Sequence, residues 1–405
     1  MTQSDARRWR RFALCSSLML AVPASVYADE ALEKKFAAFQ SQTTNQIRSL
    51  KRQIQNEQEK FKINGFATAG ITRSDNKNRQ YLRISENDID DTNNTLADSN
   101  VGIQLTFKPL DKMEFVTQIL AQAKEQWEPT VTWAYLKYQL DPQFAVKAGK
   151  MRLPYYLASE YIDVGYSYHW VRPPSELYSV FIDNYTGVEL EHRFNLGGGW
   201  VNQAKMFYGG VGERYRGHAS EESATTDAFD FGMENVRGIE ERIFWGPLLL
   251  RASYTAGKFR LVVPGYEQGW VYDRDYRYIV GGVQYDDGGL YFTAEYANSE
   301  IEDYSKNKPY TTTLGYNIGN TMPYITLSRV NDKDQVFGDT QQKSILLGVR
   351  YYVNGNISLK AGIQRFSDFG DTDGQFSWVG GGNSWEAPPI EKSVKVYSFS
   401  VNSVF

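Results

Sequence analysis

The stretch KSVKVYSFSVNSVF, residues 392–405, closes the chain and carries the strongest indication of its fold class. Its side chains alternate between apolar and polar, in the order Tyr397, Ser398, Phe399, Ser400, Val401 and Asn402. A strand with one apolar and one polar face is typical of a membrane β-barrel, whose outer face meets lipid while its inner face meets water. The stretch therefore predicts the last strand of such a barrel.

The final residue, Phe405, adds a second indication. The stretch resembles the C-terminal signature of bacterial outer-membrane barrels, in which a terminal Phe is the mark read by the assembly machinery. This resemblance implies the outer membrane of a Gram-negative bacterium. The alternative is a soluble, secreted all-β protein, which would have less reason to end on this residue.

Residues 1–28 have the pattern of a cleaved secretory signal peptide. Four arginines between Arg7 and Arg11 precede the apolar stretch 12–22, and small residues around Ala28 predict cleavage after it. The alternative, a membrane anchor, requires a longer apolar run. Cleavage removes Cys15, the only cysteine, so we expect no disulfide, thiolate metal site or cysteine nucleophile in the mature chain.

The composition favours a membrane barrel over a helical membrane protein. Mean hydropathy is negative, and after residue 28 no apolar stretch is long enough for a transmembrane helix. Aromatic residues make up 15% of the chain, including 28 Tyr and 22 Phe. Aromatic girdles at the two membrane interfaces would use such a surplus.

Residues 29–61 contain no Gly or Pro and are predicted to form a periplasmic α-helical coiled coil. The apolar residues of such a helix would form only a narrow stripe along it. This stripe gives a lone helix little surface to pack against, so self-association is the favoured interpretation. A single helix lying on the rim of the barrel is the alternative. Apolar or small residues recur at heptad spacing, at Leu32, Phe36, Phe39, Thr43, Ile47, Leu50 and Ile54.

From residue 62 to 405 the pattern changes to period two and predicts an all-β, transmembrane antiparallel barrel of roughly sixteen strands. Tight-turn pairs such as Asp141-Pro142 and Asn354-Gly355 follow even-numbered strands, whereas longer polar segments follow most odd-numbered ones. This asymmetry is typical of outer-membrane barrels. The predicted strands lie near 62–73, 99–108, 112–123, 130–140, 143–152, 185–194, 200–209, 234–245, 248–257, 276–286, 289–298, 309–318, 322–330, 342–353, 356–366 and 392–405.

The long segment 153–184 after the fifth predicted strand is rich in Tyr and includes Trp170. A loop of this length and aromatic content should pack on a surface rather than extend into water. We predict that it folds into the barrel as a constriction loop. Packing over the barrel mouth or against a neighbouring subunit is the alternative.

Taken together, the terminal Phe405, the strand–turn rhythm and the motif Trp170-Val171-Arg172-Pro173-Pro174 make the chain look like trimeric Gram-negative porins. The segment 29–61 narrows the resemblance to stalked forms, the sucrose-porin-like and DcaP-like porins. The resemblance implies a homotrimer among outer-membrane lipid and lipopolysaccharide, through which small hydrophilic solutes diffuse passively.

Strand parity predicts which charged residues line the lumen, since the face opposite the apolar side chains should look inward. The inward bases are Lys137, Lys147, Arg193, Lys205, Arg251, Arg350 and Lys360, with Glu114, Glu189, Glu191 and Glu295 as inward acids. The loop would add Arg152 at its base and Glu160, Asp163, Arg172 and Glu176.

Opposed charges across a narrow lumen would set a transverse field that sorts solutes by charge and dipole. The excess of bases on the wall mildly favours anionic solutes. Two interpretations stay open: an anion preference, and lumen charges that only pair with one another and keep the wall wet.

Enzymatic function is not predicted. The chain has three histidines, His169, His192 and His218, without metal-ligand spacing, and it lacks GxSxG and P-loop motifs. An outer-membrane phospholipase with a Ser–His pair around His192 on the lipid face is the enzymatic alternative. Acidic loop stretches such as 371–374 lack the full spacing of calcium loops. We therefore expect no cofactor, no metal and no nucleic-acid partner.

Two hypotheses of function follow from the sequence. The first is a diffusion channel whose selectivity is set at the loop. The second is a structural or adhesion barrel with a closed lumen, which should show tighter charge pairing and more apolar inward residues than the parity analysis gives.

Overall fold

The computed structural model describes residues 60–81, 89–179, 182–216, 228–262, 273–334, 339–378 and 390–405, together with Thr44 and Arg48. The predicted signal peptide and coiled coil lie outside the described residues, apart from those two isolated positions and the last residues of the coiled-coil segment. Within the described ranges, no helix is long and apolar enough to cross a bilayer.

Residues 61–404 form a closed, antiparallel barrel of 16 strands. Closure is direct, because the first strand pairs with both the second and the last. The strands are β1 Phe61–Ser74, β2 Asn100–Leu110, β3 Met113–Gln122, β4 Pro129–Gln139, β5 Phe144–Arg152, β6 Asn184–Gly197, β7 Trp200–Arg216, β8 Ala228–Trp245, β9 Leu248–Val262, β10 Arg274–Asp286, β11 Leu290–Ile301, β12 Tyr310–Tyr316, β13 Thr321–Asp334, β14 Thr340–Tyr352, β15 Ile357–Ser367 and β16 Ser393–Val404.

The remaining elements are short and lie in the loops. The strand Ser305–Asn307 continues the line of β12, from which it is separated at Pro309, and pairs with β11 and β13. Single helical turns are Ala123–Glu125, Ser159–Tyr161, Gly165–Ser167 and Ser175–Tyr178.

The predicted fold class and all of the predicted strands are confirmed, but several strands are longer than expected. The segment 210–233, predicted to be a polar loop, largely continues β7 and β8, with Arg216 opposite Ala228. Likewise β9 runs on to Val262. The reason is that glycines and charged residues interrupt the apolar alternation here, while backbone pairing between adjacent strands continues without it.

The short turns lie at one end of the barrel, and those at Asp141, Asp287 and Asn354 are built on side-chain to backbone hydrogen bonds. In the β10–β11 turn the carboxylate of Asp287 accepts the N–H groups of Gly289 and Leu290 at 2.8 and 2.7 Å. These two donors lower the pKa of Asp287. Gly288, between Asp287 and Gly289, has φ of +85°, a conformation that costs glycine little.

The outer face of the barrel is apolar along most strands. On β16, Tyr397, Phe399 and Val401 are exposed, whereas Ser400 and Asn402 are buried, as the sequence predicts. The same alternation recurs on β14, where Ile345 and Leu347 are exposed and Ser344 is buried. Such a surface is stable against lipid rather than water.

Phe405 sits at the seam where the barrel closes, at the short-turn end. Its N–H and C=O groups bond the backbone of Gly65 on β1 at 2.9 and 2.7 Å. Its ring lies on the same glycine, so closely that a Cβ there would be 2.2 Å from the ring. A side chain at position 65 would therefore displace the terminal ring.

At the long-loop end, two loops combine into a small cover over one side of the mouth. Arg79–Tyr81 after β1 pairs with Phe376–Trp378 after β15. The ring of Tyr81 packs against Phe366 and Phe376 at centroid distances of 4.7 and 5.1 Å. An apolar cluster thus joins both loops to β15 and β16.

Candidate functional site: the inward loop and the charged wall

The segment between β5 and β6, residues 153–183, runs into the barrel; we call it the inward loop. Its root is tied by Arg152, the last residue of β5, which pairs with Asp183 at 2.8 Å and with Asp163. Because Asp163 lies inside the loop and Asp183 at its end, one guanidinium holds both branches.

Aromatic packing attaches the inward loop to the far wall. Tyr155 and Tyr156 of the loop pack on Tyr278 of β10, with hydroxyl groups of Tyr156 and Tyr278 2.7 Å apart. Trp170 donates its indole N–H to Thr326 of β13 at 2.9 Å. These side chains are buried, so the contact excludes water.

Two charged residues on the inner faces of β9 and β11 form hydrogen bonds with the inward loop. Arg251 of β9 donates to the carbonyl oxygens of Pro154 and Tyr155, the latter at 2.9 Å. Glu295 of β11 accepts the N–H of Leu157 at 2.8 Å and the hydroxyl of Tyr178. Backbone groups of the inward loop therefore form hydrogen bonds with charged side chains of the barrel.

Two further cations bond the middle of the loop without a carboxylate. Lys360 of β15 donates to the carbonyl oxygens of Gly165 and Trp170, the latter at 2.7 Å, and lies over the Tyr168 ring. Arg350 of β14 donates to the carbonyl of Tyr166. Both side chains are buried by the loop they bind.

The end of the loop is held by Arg172 and Glu176. The guanidinium of Arg172 forms a two-point ion pair with Asp98, at 2.8 and 2.7 Å. The carboxylate of Glu176 accepts from Gln342 of β14 at 3.1 Å. The loop is thus bound to β9–β11, β13–β15 and the segment just before β2.

The inner face of β4–β8, which we call the charged wall, carries bases and acids that alternate across strands. Lys147 contacts Glu189 and Glu191 at 3.0 and 2.6 Å, and Lys137 contacts Glu191 at 2.7 Å. Lys137 and Lys147 lie directly opposite each other, so Glu191 offsets their repulsion.

The same arrangement recurs on β7–β9 around Glu240. This carboxylate contacts Arg251 at 2.6 Å, Arg242 at 3.0 Å and Lys205 at 3.3 Å. Arg242 and Arg251 are directly opposite each other and share it. Each of these two pairs of like charges, Lys137 with Lys147 and Arg242 with Arg251, is therefore bridged by an acid.

Glu160 is the inward loop's contribution to the charged wall. It pairs with Lys205 and, at 3.4 Å, with Arg242. Burial raises the pKa of Glu160, but these two cations more than offset it and hold the pKa well below its ordinary range. Its side chain keeps 36% of its exposure, so the contact borders water.

The structure separates most of the sequence-predicted site residues by their partners. Lys137, Lys147, Lys205, Glu160 and Glu191 pair with one another on the charged wall, and Lys137, Glu160 and Glu191 keep more than a fifth of their side-chain exposure there. Arg193 is exposed nearer the short turns, where Glu114 pairs with Lys108 at 2.6 Å. The others, apart from Glu189, are enclosed where the loop meets the wall or folds back on itself: Arg152, Asp163, Arg172, Glu176, Arg251, Glu295, Arg350 and Lys360.

This separation changes the expected charge balance. The predicted excess of inward bases came from Arg251, Arg350 and Lys360, which the loop covers. On the charged wall, bases and acids are interleaved on neighbouring strands rather than opposed across the lumen. The physical reason is that a loop backbone offers carbonyl oxygens, which take up cations without needing acids.

Sequence reasoning missed Glu240 and Arg242 as members of the charged wall. The run Glu240-Glu241-Arg242 is charged at three successive positions, so apolar alternation is unreadable there. Only the flanking Ile239 and Ile243, which share the outer face with Glu241, could have indicated that Glu240 and Arg242 face inward. Asp98 and Asp183 were also missed, because their partners are set by loop folding.

The histidines of the described residues are packing residues. His192 faces outward between Phe144 and Phe194, at ring centroid distances of 4.2 and 4.6 Å. His169 is buried against Trp170 and Tyr324. In the part of the chain that the structure describes, no group of side chains could hold a metal ion.

Comparison by sequence finds no matching family model and no matching curated protein. Solved structures do match. OmpF of Salmonella typhi, in a complex with daunomycin, has TM-score 0.54 and 13% identity, over 85% of this chain and 97% of that one. An anion-selective porin from Comamonas acidovorans has TM-score 0.53 and 10% identity, over 85% and 99%. Outer-membrane expressed OmpT of Vibrio cholerae has TM-score 0.52 and 13% identity, over 85% and 97%.

At these identities the likeness establishes the fold alone. The chain has the barrel fold of outer-membrane porins over nearly the whole length of the proteins it matches.

Proposed function

We propose that the protein is an outer-membrane porin through which small hydrophilic solutes diffuse passively. One observation carries the proposal: the inward loop covers one side of the lumen and leaves the charged wall of β4–β8 partly exposed. Lys137 and Glu191 keep 28% and 21% of their side-chain exposure in the barrel interior. A lumen wall that is polar, charged and reached by water is what a diffusion channel requires.

A structural barrel with a closed lumen is less well supported. The covered side has the apolar packing expected of a plug. The charged wall is paired, but Glu160, Lys137 and Glu191 keep part of their exposure, whereas a plug would exclude water from these charges.

Within the proposed channel, the eyelet lies between the inward loop and the charged wall. Bases and acids on that wall are close to balanced, with Lys137, Lys147, Lys205 and Arg242 beside Glu160, Glu189, Glu191 and Glu240. We therefore propose weak charge selectivity and replace the expectation of an anion preference, which rested on the covered cations.

The proposed channel performs no covalent chemistry. Its partners would be outer-membrane lipid and lipopolysaccharide, and we propose a homotrimer. One solved neighbour is described as a trimer form. We also propose that residues 1–28 are cleaved and that 29–61 form a periplasmic coiled coil, as in stalked porins; these proposals rest on the sequence pattern.

The decisive experiment is conductance of the purified protein in a planar bilayer. The expected result is discrete steps, commonly in threes, with a reversal potential in a salt gradient close to that of free ion diffusion. A folded preparation that never conducts would contradict the channel and favour the closed barrel. Deletion of 29–61 should spare conductance and weaken trimers; lost conductance in intact trimers would contradict the proposed stalk.

A further inference from the structure

A band of basic side chains lies on the outer face of five neighbouring strands, at the long-loop end. On each strand it is the first outward position after the apolar run. We call it the basic band, and its members are Arg329 of β13, Lys343 of β14, Arg365 of β15, Lys395 of β16 and Arg73 of β1.

Strand register places these cations next to one another. Arg329 lies directly opposite Lys343, and Arg365 lies directly opposite Lys395. Arg365 also neighbours Lys343 diagonally, since its direct partner on β14 is Ile345. Like charges directly opposite on antiparallel strands repel, so this arrangement is unfavourable unless an anion lies between them.

The outer face of β8–β12 shows the opposite arrangement at the same end. Four outward cations there have an acid on a neighbouring strand: Lys258 pairs with Asp275 at 2.8 Å, Arg260 with Glu234 at 3.3 Å, Arg277 with Glu300 at 3.4 Å and Lys306 with the same Glu300 at 3.7 Å. Arg237 of β8, in contrast, donates to the backbone carbonyl of Asn235. The repeated pairing shows that this fold can neutralise outward cations internally.

The basic band has a single carboxylate in ion-pair contact within the described ranges. Asp368 contacts Lys343 at 2.7 Å and Arg329 at 3.9 Å. Arg73, Arg365 and Lys395 have no such contact there. The nearby Asp75 carboxylate accepts the backbone N–H of Lys395 at 2.7 Å instead. The band therefore carries an excess of positive charge that the described chain does not neutralise.

The kind of anion that would suit the basic band is indicated by the residues next to it on the outer face, toward the short turns. The next outward residues toward the short turns are Leu327, Ile345, Ile363 and Tyr397, all exposed. A ligand that covers both must be an amphiphile, with hydrocarbon against the apolar run and anionic groups at the level of the cations. Phosphate groups suit clustered Arg and Lys best.

We propose that the basic band binds the phosphate groups of lipopolysaccharide. The proposal rests on the proposed outer-membrane location, because the long-loop end then faces the outer leaflet, where lipopolysaccharide is the phosphorylated amphiphile. Its lipid A acyl chains lie along the outer faces of β13–β16, and its phosphates lie between the paired cations and compete with Asp368.

The test compares two fourfold variants of the full-length protein. The band variant carries Arg329→Gln, Lys343→Gln, Arg365→Gln and Lys395→Gln, and the matched control carries Lys258→Gln, Arg260→Gln, Arg277→Gln and Lys306→Gln. Binding of bisphosphorylated lipid A to the folded protein in detergent is titrated, with dephosphorylated lipid A and inorganic phosphate as further probes. Each cation near a phosphate group contributes to the binding affinity. The affinity of the band variant for bisphosphorylated lipid A should therefore fall on the order of 100-fold, and that of the control variant less than about threefold.

A third variant, Asp368→Asn, guards against misfolding of the band variant. Because it removes the competing carboxylate, it should bind bisphosphorylated lipid A a few-fold more tightly than the unmodified protein. Four results would each overturn the proposal. The first two are an equal loss of lipid A affinity in the band and control variants, and binding of dephosphorylated lipid A that is as tight as that of the bisphosphorylated form. The other two are binding that disappears when divalent cations are chelated, and a self-association interface that covers the basic band.

Conductance separates this inference from the proposed function. The band lies on the outer face, so both fourfold variants should conduct like the unmodified protein. Unchanged lipid A binding in a conducting band variant contradicts the lipid site alone. Phosphate-dependent binding by a barrel that never conducts contradicts the channel alone.

Discussion

The two sides of the barrel interior are built from different residues. The covered side presents short hydroxyl groups, such as Thr313, Thr326 and Ser344, all buried, with a few cations that bond loop carbonyls. The charged wall presents long ionised side chains in alternating sign. A wall that binds a loop must satisfy its own polar groups in a dry contact, whereas a wall that borders water can keep charges that offset one another.

The largest expected effect is at Glu240, the fully buried acid shared by Arg242, Arg251 and Lys205. Glu240→Gln should lower the free energy of unfolding by about 3–5 kcal/mol, because it leaves buried cations without their anion. Unfolding in urea, followed by gel mobility of the folded barrel, measures this.

The control for that experiment is the adjacent Glu241→Gln. Glu241 faces outward and accepts from Asn202 at 2.8 Å, so its neutral replacement can keep a hydrogen bond. Equal stability losses in both variants would show that the charged wall does not depend on a central acid.

The next effect concerns attachment of the inward loop. Trp170→Ala removes a buried indole and should cost the loop contact about 3 kcal/mol. The released loop should give larger and noisier single-channel steps. Thr326→Val removes only the hydrogen bond, about 1 kcal/mol, and should change the noise slightly. Identical traces from Trp170→Ala and the unmodified protein would mean that the loop is held elsewhere.

A smaller effect separates the two sides by selectivity. Lys147→Gln leaves Glu189 and Glu191 under-compensated beside the open lumen, so cation permeability relative to anions should rise about twofold to fivefold. Lys360→Gln, on the covered side, should leave this ratio nearly unchanged, because the loop separates Lys360 from water. Reversal potentials in a KCl gradient measure both. A larger shift from Lys360→Gln would reverse the assignment of the two sides.

The smallest effect is a pH dependence that should be absent. Since the folded pKa of Glu160 is lowered, its contact with Lys205 is complete above its ordinary pKa of about 4.3 and is lost only as pH falls through the lower, folded value. The conductance difference between Glu160→Gln and the unmodified protein should stay constant from about pH 7 down to about pH 4, whereas a carboxylate with the ordinary pKa would be half protonated near pH 4.3. A difference that is halved near pH 4.3 would show that Glu160 titrates normally.

Strand count and facing were predictable because lipid imposes period-two alternation on every strand, as on β16. The side of the wall that the inward loop covers was not predictable. It is set by contacts between distant residues, such as Lys360 with the carbonyl of Gly165, and backbone acceptors leave no mark in the sequence. The members of the charged wall were predictable only where apolar neighbours fixed parity, which fails at Glu240 and Arg242.

The bond between Phe405 and Gly65 has a consequence for the order of events during biogenesis. The first strand contributes hydrogen-bonding groups whose partners lie in β16 and Phe405, which follow every other strand of the barrel in the sequence. A sheet edge left open in a bilayer is costly, so the nascent barrel cannot rest partly inserted with β1 unpaired. A substitution that weakens the pairing of β16 with β1 should therefore slow membrane insertion far more than it destabilises a barrel that has already closed.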